Sequence, residues 1–308
     1  MALRIIVAGE IYIDRIMSGF TAWPQPGEES FASSLTREVG GGAPHTAAGL
    51  ARLGNDVTLV GSIGNDPWLR ERLSQLGVHA GALIEHPTEP TGTTVAVSMP
   101  HDRTFFTYRG ANVAAEAALK SVGQCDHLHI AASVDSDLLR WLCGRAKTVS
   151  IDAGWHPLWL RDPQIQSALR EVSWFLPNEI EAAAMTGETD PQPMMKRFQE
   201  LGIQAAIKLG AAGSAAEVLQ VPSIAIQPID TTGAGDCFNA GFLDAWLHNQ
   251  PIETCLRQAN ICGALSTREM GGMNGFPTRE VLSNLLNALE ERRPPGSGRL
   301  PKKTQNAH

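Results

Sequence analysis

Through the middle of the chain, short apolar runs of strand length alternate with stretches of helix length, and that alternation admits few folds. Strands are predicted at residues 127–131, 149–152, 174–176 and 205–209, with helices near 137–145, 164–171 and 179–185. Such a succession makes a mainly parallel sheet covered by helices on both faces. An earlier strand at 5–8 ends at Gly9, a helix over 44–53 is stopped by Gly54, and 57–63 reads as a buried strand. Asp66-Pro67 opens a helix that Gly77 ends. The last third is helical, over 235–248, 252–267 and 279–291. One segment departs from this rhythm. At 93–99, Val95, Val97 and Met99 alternate with smaller residues, 104–108 is a second strand, and 101–103 turns between them. The chain has 308 residues and no repeat or second core, so it reads as one domain over 1–292 with a small excursion.

The net charge of −7 argues against binding nucleic acid through its phosphates. Residues 293–308 carry Arg293, Arg299, Lys302 and Lys303 and no acid, and read as a disordered basic tail. Five cysteines, an odd number with no C-x-x-C pair, point to reduced thiols in a cytoplasmic protein. The first apolar run is too short for a signal peptide, and no run approaches the ~18 apolar residues of a membrane span.

The densest chemistry lies in Asp230-Thr231-Thr232-Gly233-Ala234-Gly235-Asp236, which opens a helix. Small residues at a helix start leave its first N–H groups bare, and with the helix dipole they form an anion site. A carboxylate there repels a bound phosphate unless it has another task, such as taking a proton from a hydroxyl that attacks phosphorus. Alone, the segment reads equally well as a loop ended by an ordinary N-terminal Asp. Ligands of parallel sheets gather at the carboxyl ends of strands, which here places Gly9, Asp152, Pro177 and Gly210 near the site.

The run from Asp230 to Phe242 resembles the second signature of the ribokinase-like carbohydrate kinases, the phosphofructokinase-B family. The run from Gly40 through His45 to Gly54 resembles the first. Order and spacing both match, and the likeness extends from about Leu3 to Glu291. It implies an α/β, ribokinase-like three-layer fold with a small β-lid, formed by residues 11–38 and 91–112, that closes over a sugar. It implies an ATP-dependent sugar kinase with Asp236 as catalytic base and Gly233, Ala234 and Gly235 as the hole that meets the moving phosphoryl group. Asn178 and Glu181 match an N-x-x-E element that places Mg2+ and phosphate through water. Lys208, Gly210 and Gly213 match a nucleotide-binding turn, and Asn260 a position beside the base. Asp14, Gly41, Gly42, His45, Arg109 and Asn112 match the sugar side. Asp230 and Thr232 correspond to a potassium (K+) site in some members. Many members dimerise through the lid, so a homodimer is expected. Two departures concern the substrate: His45 stands where the family commonly has Asn, and Tyr12 where ribokinases have a polar residue.

No G-x-x-x-x-G-K-[ST] is present, so a P-loop kinase is excluded, and no G-x-G-x-x-G follows the first strand. His127 and His129 share one strand face but have no third ligand nearby in sequence. A nucleoside kinase, a phosphosugar kinase and a non-catalytic sugar sensor are the rival readings; an intact base argues against the last.

Overall fold

Strand Ile5–Gly9 is buried on both faces and lies inside a five-stranded parallel sheet, between Cys125–Ala131 and the edge strand Val57–Val60. The spatial order is Trp174–Phe175, Ala146–Ile151, Cys125–Ala131, Ile5–Gly9, Val57–Val60. The protein is described here by a computed structural model covering residues 3–99 and 103–291. The expected tail at 293–308 and most of the turn at 101–103 lie outside the described residues.

The two-residue period of strand Ile5–Gly9 sorts the core into two layers. Ile5 and Val7 face a cluster formed with helices Gly42–Arg52, Ala234–Leu247 and Ile252–Ser266. Ile6 and Ala8 face the other cluster, with Leu138 and Leu142 of helix Ser136–Cys143 and Phe198 of helix Pro191–Leu201. Each buried large side chain contributes about 1.5–3 kcal/mol. Helix starts follow local rules. Asp66 accepts from the Leu69 amide ahead of Pro67, and Asp135 accepts from the Leu138 amide.

Three sequence expectations change. The buried strand expected at 57–63 is two strands. Val57–Val60 pairs with Ile5–Gly9 and Ser62–Ile63 with Ile84–Glu85. The break falls at Gly61, where a Cβ would lie 2.6 Å from the Gly9 carbonyl oxygen. The strand expected at 205–209 touches the sheet only through isolated parallel bridges, Phe175 to Ala205 and Asn178 to Lys208. It then turns into an antiparallel hairpin, with Ala206–Lys208 paired to Ser214–Ala216. Helix Pro191–Leu201 was hidden by its two prolines; both sit in the first turn, where a missing N–H costs nothing.

The lid is a four-stranded sheet in the order Ser34–Gly40, Tyr12–Ser18, Gly92–Ser98, Arg103–Tyr108. The first two strands were not legible, because their residues are mixed in polarity. Register places Asp14 opposite Thr94, Thr94 opposite Thr107, and Ala96 opposite Phe105, so these share one face. Phe106, Val95 and Val97 share the other. Phe105 and Phe106 are 54% and 55% exposed, so the lid presents an aromatic ring on each face rather than on one. Trp23 stacks on Phe106 with ring centroids 6.3 Å apart.

His127 and His129 do share a strand face, but hydroxyls hold them. Thr148 and Ser150 pair with His127 at 2.9 and 3.0 Å, and Ser150 pairs with His129 at 2.8 Å. Both imidazoles are fully buried. Burial pushes His127 down to about 3, with the neighbouring His129 adding, and pushes His129 down to about 4 against the opposing charges of Asp152 and Asp236. The unfolded chain protonates them near 6.5, so it binds more protons than the folded chain below that value. Stability should therefore fall on acidification from pH 6.5, by up to about 1.4 kcal/mol per pH unit for each histidine. Urea midpoints measured between pH 6.5 and 5 should fall less steeply for His129→Gln than for the parent; equal slopes would contradict the assignment.

Candidate active site

Helix Ala234–Leu247 starts at the carboxyl edge of the sheet, and its first turn separates two cavities. Gly233 caps it with φ +69, a conformation costly for any residue with a Cβ. The helix geometry leaves its first amides without intrahelical acceptors. On one side lies a cleft of about 580 Å³, walled by Ile224, Ile226 and Phe238 and lined at its polar end by Lys208, Ala234 and Gly235. On the other lies a cavity of about 630 Å³ lined by Glu10, Gly42, Arg109, Asp152, Trp155, His156 and Asp236, among others. The two cavities meet at the turn that carries Asp236.

The Asp236 carboxylate is about one-fifth exposed. Thr46 donates to its carbonyl at 3.3 Å, which ties the Gly42–Arg52 helix to the helix of Asp236. A Cβ on Gly42 would lie 2.8 Å from Asp236 Oδ1, so a side chain there would displace the carboxylate.

Behind the site lies a network that sequence reasoning missed. Lys208 Nζ donates to Asp152 Oδ2 at 2.5 Å, and Asn239 Nδ2 donates to the same oxygen at 2.6 Å. Lys208 also reaches Asn239 Oδ1 at 3.4 Å. Burial alone would push the lysine down, but Asp152 and Glu181 outweigh it, so its ammonium stays charged. Burial likewise works against ionised Asp152, and Lys208 and Asn239 hold its carboxyl below the usual range. The only sequence signal for Asp152 was its place just past a strand.

The expected nucleotide residues divide. Lys208, Gly210, Gly213 and Asn260 line the 580 Å³ cleft. Asn260 donates to the Val221 and Pro222 carbonyls at 3.0 and 3.3 Å, fixing the cleft wall. Asn178 and Glu181 form a reciprocal capping box on helix Glu179–Thr186. Glu181 N donates to Asn178 Oδ1 at 2.9 Å, and Asn178 N donates to Glu181 Oε2 at 2.8 Å. Burial raises the Glu181 carboxyl, Asp152 adds to this, and Lys208 opposes it. Asp230 is buried and also structural. Its Oδ1 accepts from Thr232 N at 2.8 Å and its Oδ2 from Gly271 N at 2.9 Å, tying two loops together.

The expected sugar residues divide as well. Gly42 and Arg109 line the 630 Å³ cavity; Asp14, Gly41, His45 and Asn112 stand outside its wall. Arg109 pairs with Glu10 at 2.9 Å, and the Tyr12 hydroxyl donates to the other Glu10 oxygen at 2.7 Å. Glu10 is thus a second residue the sequence did not flag. Asn112 uses both ends of its amide on the Ile11 backbone, at 2.8 and 3.0 Å, and so braces the root of the lid. Asp14 packs against Gly40; burial raises its carboxyl, His45 opposes this, and Asp230 adds to it. His45 is 3% exposed, with Nε2 3.0 Å from the Val39 carbonyl and Nδ1 3.7 Å from Asp236 Oδ2. Its ring faces Asp236 rather than the cavity.

Known proteins resemble this chain in sequence and fold. Residues 2–279 match the family described as pfkB family carbohydrate kinase. The ribokinase of Bacillus subtilis (strain 168) is 29% identical over 294 residues, 92% of this chain and 99% of that protein. The 2-dehydro-3-deoxygluconokinase of the same organism is 27% identical over 287 residues, 83% of this chain and 89% of that protein. The ribokinase of Arabidopsis thaliana, solved with ribose and ATP, superposes with a TM-score of 0.77 at 25% identity, over 93% of this chain and 99% of that one. With a helix start between two cavities and a family match across most of its length, the chain belongs to the pfkB family of carbohydrate kinases, phosphotransferases whose acceptor is an alcohol group.

Proposed function

We propose that this protein transfers the γ-phosphoryl group of ATP to a primary hydroxyl of a sugar, with Asp236 taking the proton. One observation carries the reading: Asp236 stands where the two cavities meet. The 580 Å³ cleft has apolar walls suited to a purine, and its polar end leads to the Gly233, Ala234 and Gly235 turn. Bare amides there would stabilise the charge on the transferring group. The acceptor would enter the 630 Å³ cavity and present its hydroxyl to Asp236. Asp14, on the underside of the lid, would accept from sugar hydroxyls as the lid closes and water leaves.

Among the described residues, no three His, Cys, Asp or Glu side chains gather closely enough to hold a metal ion. Mg2+ would thus be held chiefly by the nucleotide phosphates, with Glu181 and Asn178 reaching it through water. When bound, it neutralises phosphate charge. K+, if used, would lie beside the loop of Asp230 and Thr232, whose backbone is already fixed by the Asp230 carboxylate.

The relatives act on different acceptors by name, so the sugar is open. A nucleoside is the second reading, favoured by Trp155, a 57% exposed aromatic on the acceptor cavity wall that offers a face for a base. We also read the lid as a dimer interface: Leu35, Phe105, Phe106 and Tyr108 are all more than half exposed on a four-stranded sheet. No helix among the described residues is long and apolar enough to cross a membrane. All five cysteines are free thiols, which fits a cytoplasmic setting.

Asp236→Asn should fold normally and lose ~10²–10⁴-fold or more in kcat, the usual cost of removing a general base. Steady-state rates with binding calorimetry for ATP check this. Retention of more than about a tenth of the rate, less than the low end of that range, would remove Asp236 from the role.

Gly42→Ala should leave the melting temperature nearly unchanged, because the displaced group is the end of a side chain. It should cost about 10²-fold in kcat, the scale of a ~1 Å misplacement. Unchanged turnover would show that the Asp236 position does not matter.

Light scattering at micromolar concentration should report a dimer, and Phe106→Lys should shift it to monomer. A monomeric parent would contradict the lid interface.

A further inference from the structure

Among the residues that resemble the first family signature, His45 replaces the common Asn. The structure gives this imidazole a fitted slot. Its Nε2 lies 3.0 Å from the Val39 carbonyl, which can only accept, so Nε2 carries a proton. Two glycines with left-handed backbones enclose the ring. A Cβ on Gly233 would lie 2.7 Å from Nδ1, and one on Gly272 would lie 3.2 Å from Nε2. The ring is 3% exposed and lines neither cavity, yet Nδ1 faces Asp236 Oδ2 at 3.7 Å. It does not reach an acceptor directly, so it can influence the reaction only through its neighbours.

Resting on the reading of Asp236 as base, we propose that His45 is a charged positioning residue. Its imidazolium holds the ionised Asp236 carboxylate at the junction of the cavities and offsets negative charge that would otherwise repel the incoming phosphoryl group. The reaction then has an alkaline limit set by His45.

The charges around the ring favour this. The helix Ala234–Leu247 contributes Asp236, the lid strand Tyr12–Ser18 contributes Asp14, and the strand Ser34–Gly40 contributes the Val39 carbonyl. The loop at 271–273 offers only apolar side chains and backbone, and helix Gly42–Arg52 adds no acid in its first turn. Lys208 and Glu181 lie beyond Asp236, where each feels its charge. Burial works against the imidazolium, but Asp236, Asp14 and the Val39 carbonyl outweigh it, so the group is raised above the ordinary histidine value. The charged form therefore persists to higher pH than in free histidine and is lost as pH rises through that raised value. Among the nearby amine, phenol and thiol groups, Lys208, Tyr12 and Cys237 are all pushed upward, away from the neutral range.

Long-range 1H–15N correlation spectra of the substrate-free protein, recorded from pH 5 to 10, read the charge of His45 directly. His45→Asn assigns the resonance by its disappearance. His45 should titrate above free histidine, and Asp236→Asn should lower its pKa by about one unit or more, as expected when an adjacent opposite charge is removed. Rates provide the second readout. The parent should lose activity by about tenfold per pH unit above the His45 pKa, as for any single required proton. His45→Asn should be slower than the parent at neutral pH and should lack that alkaline limb, so the two profiles converge at high pH. A merely structural histidine would lower activity equally at every pH. A ring already neutral at pH 6.5, or an alkaline limb that persists in His45→Asn, overturns the proposal. The spectra do not depend on turnover. If Asp236→Asn stays active while His45 still responds to it, the base assignment fails and the ion pair survives.

Discussion

The structure depends on a buried charge cluster at the carboxyl edge of the sheet. Asp152 directly follows one strand, Lys208 ends another beside it, and Asn239 lies just past the first turn of the helix that carries Asp236. Three elements far apart in sequence are thereby fixed at one point, and the first turn of that helix is held against the strand ends. Two ions out of water carry a large desolvation cost, which close contact and the amide of Asn239 offset. Removing one partner of such a buried pair typically costs ~3–5 kcal/mol, because the other charge is left uncompensated. The cluster thus fixes where the helix amides point, and with them the anion site. It also sets the local field: Glu181 is raised partly by Asp152, and Lys208 is kept charged partly by Glu181.

From that anchor the two cavities follow. The hairpin of Ala206–Lys208 and Ser214–Ala216 swings out of the sheet after Lys208 and walls the 580 Å³ apolar cleft with the 223–226 loop. On the opposite side, Ala131 and Asp152, at neighbouring strand ends, line the 630 Å³ cavity, and the Glu10–Arg109 pair stands at its lid side. A transfer between two ligands needs both to reach one point while water is kept out. The helix start provides the point, and the lid, rooted through Asn112 on Ile11, can provide the cover. On the proposed reading, acceptor choice would rest on Trp155, His156, Glu10 and Arg109, which line that cavity.

The sheet, most helices and the Asp236 turn were legible because their signals are local. Apolar runs mark the strands, Gly54 and Gly77 stop helices, and D-T-T-G-A-G-D opens one. What was missed depends on distance or on context. Asp152, Lys208 and Asn239 are separated by 31 to 87 positions, and nothing near any of them announces the others. The Tyr12–Ser18 and Ser34–Gly40 strands lack alternation because most of their residues are partly buried or exposed, so neither face is fully apolar. Asn178 and Glu181 show how one pattern can have two meanings. The same N-x-x-E spacing that resembles a phosphate-placing element is also a complete capping box. His45 and Asn112 were read as reaching the sugar; the structure turns the first toward Asp236 and uses the second on backbone.

Catalysis at the meeting point of two cavities is the central claim, and acceptor-dependent ADP release tests it most directly. Purified protein with ATP and Mg2+ would be assayed against a panel of pentoses, hexoses, keto-acid sugars and nucleosides, with product mass measured for each. The account predicts negligible hydrolysis without acceptor. With at least one panel member it predicts ADP formed in equal amount to a monophosphate ester at a primary hydroxyl. Acceptor binding with no phosphorylated product, or ATP hydrolysis indifferent to acceptor, would contradict it.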